Sequence, residues 1–229
     1  MADRPLLMSA PMVRATLAGI KSQTRRILNP APRLDHFASE QLEDFELRGF
    51  EAVEQPDGRH LVYRPRWRAG DRAWIRETWA VGNIYDGVPP SRINPTGEPN
   101  WCGIRYAATD ERLGIHDRPS IHIPRWASRL TLTVGQVAVE RLQDITEEAA
   151  QAEGVCHFVE QHERSGSWAG LSSADRALLI GQIYGSSRKA FQHLWETLHG
   201  TEAWEANPWV AAISFEATPA NIDNLPEQP

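Results

Sequence analysis

The chain has 229 residues, 41% of them hydrophobic and 24% charged, with a net charge of −6. That length buries a full core without covalent staples, and the acidic balance argues against a coat for long duplex DNA, whose binding grows with the phosphates neutralised. Cys102 and Cys156 give neither a disulfide framework nor zinc-ribbon spacing, Met1 to Pro5 lacks the design of a secretory signal, and no apolar run approaches the roughly 20 residues of a membrane span. A cytoplasmic protein with no membrane partner is expected.

Leu6-Leu7-Met8 reads as a short buried strand. Ser9 then caps a helix with Pro11 in its first turn and Met12, Val13, Thr16, Leu17 and Ile20 on one face. Gly19 ends that helix in a left-handed conformation, and Lys21 to Arg26 follows as a turn. Between residues 30 and 60 an acidic stretch precedes Asp57-Gly58, a hairpin signal joining Phe50–Val53 to His60–Tyr63. This segment reads as an insertion, as do 82–118 and 157–190.

A strand is predicted over Ala73–Trp79, a further one at Ile104–Tyr106, and two more at Arg129–Val134 and Gln136–Arg141. A helix opens near Thr146, with acids in its first turn, and closes at Gly154. Another spans Ser173 to Ile183. The segment Ala190 to Leu198 is amphipathic, with Phe191, Leu194, Trp195 and Leu198 on one face. A last strand runs from Trp209 to Phe215. The expected organisation is one domain over residues 1–218 followed by a flexible tail, 219–229. The helices are too few for a doubly wound sheet, so a small α+β fold built on a mixed β-barrel is expected.

Of 24 basic residues only Lys21 and Lys189 are lysines. Arginine stays charged, whereas a desolvated lysine can lose its proton and act as a base, which singles out Lys21. Arg64, Arg66, Arg68, Arg72 and Arg76 form a basic run. It reads mainly as a solvated, ion-paired strand edge, with phosphate contact as the functional alternative.

The stretch Gly19-Ile20-Lys21-Ser22-Gln23-Thr24-Arg25-Arg26, the turn Gly70-Asp71 before Trp74–Thr78, the acidic segment Ile145–Gly154 and the closing strand Trp209–Phe215 together resemble the ASCH family of the PUA-like superfamily. Pro119–Arg129 and Trp204–Trp209 resemble its longer phage and prophage members. The resemblance implies a PUA-like mixed barrel. Its small bacterial members include amidohydrolases of N(4)-acetylcytidine, whose Lys base, Thr nucleophile and Glu acid match Lys21, Thr24 and Glu153. Other members bind or cut RNA.

The chemistry is coherent, because a threonine hydroxyl needs a nearby base and a leaving amine needs an acid. Ser22, Arg25, Arg26, Arg76, Glu77, Trp79, Trp126 and Ser128 are the expected substrate-binding residues, the two tryptophans as stacking platforms. The turn Ser22–Thr24 is the expected oxyanion hole. The expected ligand is a modified nucleoside or short RNA, with no metal or cofactor. The rival readings are a non-catalytic RNA-binding module or ribonuclease, and a phage accessory module that docks another protein.

Overall fold

A computed structural model describes residues 2–93, 103–111, 116–156 and 172–225. Its strands are β1 (Asp3–Leu7), β2 (Gln23–Ile27), β3 (Arg33–Asp35), β4 (Glu51–Glu54), β5 (His60–Tyr63), β6 (Arg72–Arg76), β7 (Trp79–Val81), β8 (Ile104–Tyr106), β9 (Thr131–Arg141) and β10 (Trp209–Thr218). The α-helices are α1 (Ala10–Leu17), α2 (Ser39–Leu47), α3 (Glu147–Ala152), α4 (Ser173–Tyr184) and α5 (Ser187–His199). The fold is α+β. Among the described residues, no helix is long and apolar enough to cross a membrane.

The main sheet has five strands in the order β1-β6-β9-β10-β2, with β1 and β6 parallel and the other pairs antiparallel. Residues from all five strands, among them Leu6, Ala73, Leu132, Ile213 and Thr24, line one small inner void, so the sheet curls strongly. The curl stops short of the expected closure: β1 and β2 are its two edges. A side chain spans the seam between them, with Arg26 Nη2 donating to Leu7 O at 2.8 Å. Leu6, Ile75, Leu132, Val134, Ile213 and Phe215 point into one core that α1 and α5 cover with Met12, Val13, Phe191 and Leu194. Truncating a buried aromatic in such a core costs about 3–5 kcal/mol.

The structure revises several sequence expectations. The predicted turn Lys21–Arg26 is mostly strand β2, paired with β10 in the register Thr24↔Ile213. Adjacent arginines are poor strand residues, but Arg25 is buried against two carboxylates, which removes the penalty. The two strands predicted around Gly135 are one strand, β9. The apparent break is a bulge opposite Ser214, whose Oγ accepts from Gln136 N at 2.8 Å. The acidic stretch of the first insertion forms α2, and the predicted hairpin is β4–β5, joined by β3 into a second sheet. β7 and β8 form a third.

The segment after Pro219, expected to fray, docks as far as Leu225: Ile222 is fully buried, and Asn221 Nδ2 donates to the carbonyls of Arg125, Trp126 and Ser128. Cys102, the Ser165-Gly166-Ser167 cluster and residues 226–229 lie outside the described residues.

Two glycines set how the site is approached. Gly19 and Gly154 have φ of +69° and +79°, and an added Cβ at Gly154 would lie 3.0 Å from Lys21 Cβ and 3.1 Å from Ala15 Cβ, whereas Gly19 faces open space. We expect Gly19→Ala to destabilise the fold by about 1 kcal/mol through backbone strain alone. Gly154→Ala, which adds overpacking, should cost about 2–4 kcal/mol. Urea denaturation of the two variants checks the order, and equal costs would show that the Gly154 contact can relax.

Candidate active site

Helix α1 stops at Ala18, and Gly19 turns the chain so that the N–H groups of Ile20 and Lys21 both donate to Ala15 O, at 2.9 and 3.1 Å. Ser22 N then donates to Ala152 O at 2.9 Å, while Ser22 O accepts from Phe215 N. The start of β2 is thereby fixed to the end of α3 and to β10. Helix α3 is capped by Thr146, whose Oγ1 accepts from Ala149 N at 3.1 Å, and it ends at Glu153-Gly154.

This construction puts Lys21 Nζ against the end of α3. The ammonium donates to Gln23 O at 2.7 Å, Glu153 O at 2.9 Å and Glu153 Oε2 at 2.7 Å. Three donors meet three acceptors, which satisfies a lysine ammonium fully. A cation at a helix C-terminus is also favourable, and here it offsets the misfit of a carboxylate in that last turn. Glu153 Oε1 accepts from Arg25 Nη1 at 3.1 Å, and Arg25 donates through Nε and Nη2 to Glu140 Oε1 at 2.9 and 2.7 Å. Two cations and two carboxylates thus balance in charge. Lys21 and Glu153 are each 4% exposed.

Burial holds the Lys21 amine below its ordinary value of 10.5; Glu153 opposes that shift, and the Arg26 and Arg25 charges add to it. The pair can interconvert without net charge by passing one proton across the 2.7 Å contact from Nζ to Oε2.

Lys21, Thr24 and Glu153 line a single cavity of about 450 Å³. Arg25 and Arg26 line it too, and its opposite wall is the apolar face of α5, with Phe191, Leu194, Trp195 and Leu198. Arg25 also lies over the Phe191 ring at 5.8 Å, tying that wall to β2. The Trp195 indole N–H is buried without a hydrogen-bond partner among the described residues. His199 stacks on Trp195 with ring centroids 4.3 Å apart, and burial and the Arg26 charge lower its pKa.

The other expected binding residues lie elsewhere. Ser22 is exposed, and its N–H and C=O are both used within the fold, so Ser22 itself offers no oxyanion donor. Arg76 lines a neighbouring cavity. Glu77 is buried in a two-pronged pair with Arg129, at 2.8 and 2.9 Å, and Arg129 covers the Tyr106 ring at 4.0 Å. Burial, the largest influence there, pushes the Tyr106 phenol up to about 12. Trp79 is fully buried edge-on to Trp126, in a satellite core with Val81 and Ile123, so neither ring lines the cavity. Ser128 donates to Ile75 O at 2.9 Å as a structural tie.

Residues that sequence reasoning missed are Ser9, Thr78, Ser120 and His199 in the cavity lining and Glu140 behind Arg25. The α5 face was visible as a period, but nothing in the sequence said that it walls a cavity. Among the described residues, no cluster of three His, Cys, Asp or Glu could hold a metal ion.

No protein-family model and no curated protein matches the chain. Among solved structures, it is similar to protein EF3133 from Enterococcus faecalis V583, whose family model is DUF984, over 97% of this chain and 83% of that one. The identity is 11% and the TM-score 0.36, and a likeness that slight carries no weight for fold or function.

The buried ion pair gives a direct stability test. Removing either partner alone, by Lys21→Met or Glu153→Leu, should cost about 3–5 kcal/mol. The double variant should cost less than the sum of the two by about 1–3 kcal/mol. Urea unfolding of all four proteins checks this, and strict additivity would mean that the two groups do not interact.

Proposed function

We propose that the chain is an amide hydrolase with an ASCH-like, PUA-like core, acting on N(4)-acetylcytidine or a related acylated nucleobase. The observation that carries this reading is the convergence of Lys21 just before β2, Thr24 in β2 and Glu153 at the end of α3 on one cavity with an aromatic wall. About 450 Å³ is within the range of small-ligand sites. Phe191 and Trp195 supply the apolar wall, the Phe191 ring lying under Arg25 and the Trp195 ring against His199.

The reaction begins from the amine–acid form of the Lys21–Glu153 pair. Thr24 Oγ1 attacks the acyl carbon as its proton passes to Lys21 Nζ. Glu153 protonates the leaving exocyclic amine. This leaves an ester on Thr24 and the ammonium–carboxylate pair, the same contact pair that the ground state holds. Water then attacks the ester, giving a proton to Glu153, while Lys21 returns one to Thr24 Oγ1. The amine–acid form is restored, and every proton is accounted for.

Incubation with N(4)-acetylcytidine should release cytidine and acetate. Thr24→Val, which removes the hydroxyl at nearly constant volume, should lower kcat/KM by about 10³-fold or more while the fold persists. Unchanged turnover in that variant would eliminate Thr24 as the nucleophile.

The pH profile follows from Lys21. The mechanism needs one proton on the Lys21–Glu153 pair, amine and acid together, so activity is lost as pH rises through the Lys21 folded pKa and the pair gives up that proton. Because burial lowers that pKa, the inflection in kcat/KM should lie below 10.5. An inflection at or above the ordinary lysine value would rule Lys21 out as the base.

A further inference from the structure

The basic run between Arg64 and Arg76 separates into two kinds of arginine. Arg72 grips Asp3 with two hydrogen bonds, at 2.8 and 2.9 Å, and Arg68 pairs with Glu51 at 3.3 Å. Arg64, Arg66 and Arg76 pair with no carboxylate among the described residues, and neither does Arg26 of β2. These four line one cavity of about 370 Å³ that has no acidic residue in its wall.

In a chain of net charge −6, four guanidiniums that form no ion pair among the described residues are conspicuous around one concavity. Arg26 donates only to neutral carbonyls, those of Leu7 and Arg25. Burial presses its pKa down, the Glu153 charge opposes that shift, and the nearby Arg66 charge adds to it. Arg76 lies over the Trp74 ring at 5.5 Å, and its buried Nε has no hydrogen-bond partner among the described residues.

Guanidinium forks facing a concavity suit a phosphate, whose oxygens accept paired N–H bonds. The cavity adjoins the candidate active site across the β1–β2 seam, and Leu7 and Arg26 line both. A molecule filling the two would place its planar, amide-bearing part beside Lys21 and Thr24 and its anion among the arginines. We infer that the second cavity is a phosphate subsite, and that the substrate is an acylated nucleoside monophosphate rather than a bare nucleoside. The identity of the base rests on the reading in the preceding subsection; the phosphate subsite does not.

The experiment is calorimetric titration of the whole protein with inorganic pyrophosphate, cytidine, cytidine 5′-monophosphate and a short oligoribonucleotide. It is repeated on Arg64→Gln/Arg66→Gln, two exposed positions whose change leaves the core intact, on Arg76→Gln, and on Thr24→Val. Pyrophosphate should bind the wild type and Thr24→Val alike, and weaken by about tenfold or more in the arginine variants. Cytidine monophosphate should bind about tenfold or more tightly than cytidine, with the difference lost in those variants. Pyrophosphate binding that survives the arginine changes would overturn the subsite. Equal affinity for cytidine and its monophosphate would overturn the nucleotide assignment, as would tight binding of an oligoribonucleotide without any preference for the mononucleotide. If acetylcytidine is not hydrolysed but pyrophosphate still depends on the arginines, the amide reading fails and the subsite stands.

Discussion

The site depends on a carboxylate that cannot be left alone. Glu153 is buried, and its two oxygens are taken by Lys21 and Arg25. A buried charge without partners would cost several kcal/mol. The pairing therefore dictates where the end of α3 must sit relative to β2. Gly154 lets the chain leave α3 in a left-handed turn, and the close approach of Ala15 and Lys21 leaves no space for a side chain there. Through Arg25 the network reaches Glu140 on β9 and the Phe191 face of α5. One salt-bridged cluster thus joins the sheet edge to two helices and defines a cavity wall between them.

The second constraint is the unclosed seam. A sheet that curls without joining its edges leaves backbone and side chains of β1 and β2 facing a gap. Here the gap is occupied by the two cavities, separated by the Arg26 side chain on Leu7 O. Paired and unpaired arginines then sort by task. Arg25, Arg72 and Arg129 are held by carboxylates and brace the fold. Arg26, Arg64, Arg66 and Arg76 pair with no carboxylate among the described residues and line one cavity.

Much of this was legible in the sequence, and the omissions have physical causes. The α1–Gly19–Lys21 order, the Thr146 cap and the Gly154 stop rest on local rules of helix capping, and all of them hold. The Asp57-Gly58 hairpin likewise follows from turn chemistry. Local rules failed where a distant partner decides. Arg25 and Arg26 read as turn residues because the carboxylates that let Arg25 enter a strand are Glu140 and Glu153, over 100 residues away in sequence. Trp79 and Trp126 were candidates for base stacking because an aromatic ring carries the same signal in a core as in a cleft. Ser128 and Glu77 are polar and buried, yet their partners are internal. Lys21, Thr24 and Glu153 stand in stretches with a pattern that a single sequence can display, whereas His199 and Ser120 left no such mark.

The central claim is that Thr24 carries the acyl group between amide and water. Acid quenching of the protein during turnover of N(4)-acetylcytidine, followed by peptide mass spectrometry, tests it most directly. The account predicts one acetyl group on the peptide that contains Thr24, located on its hydroxyl and absent from Thr24→Val. Turnover with no acetylated peptide, or with acetyl confined to another residue such as Lys21, would contradict it.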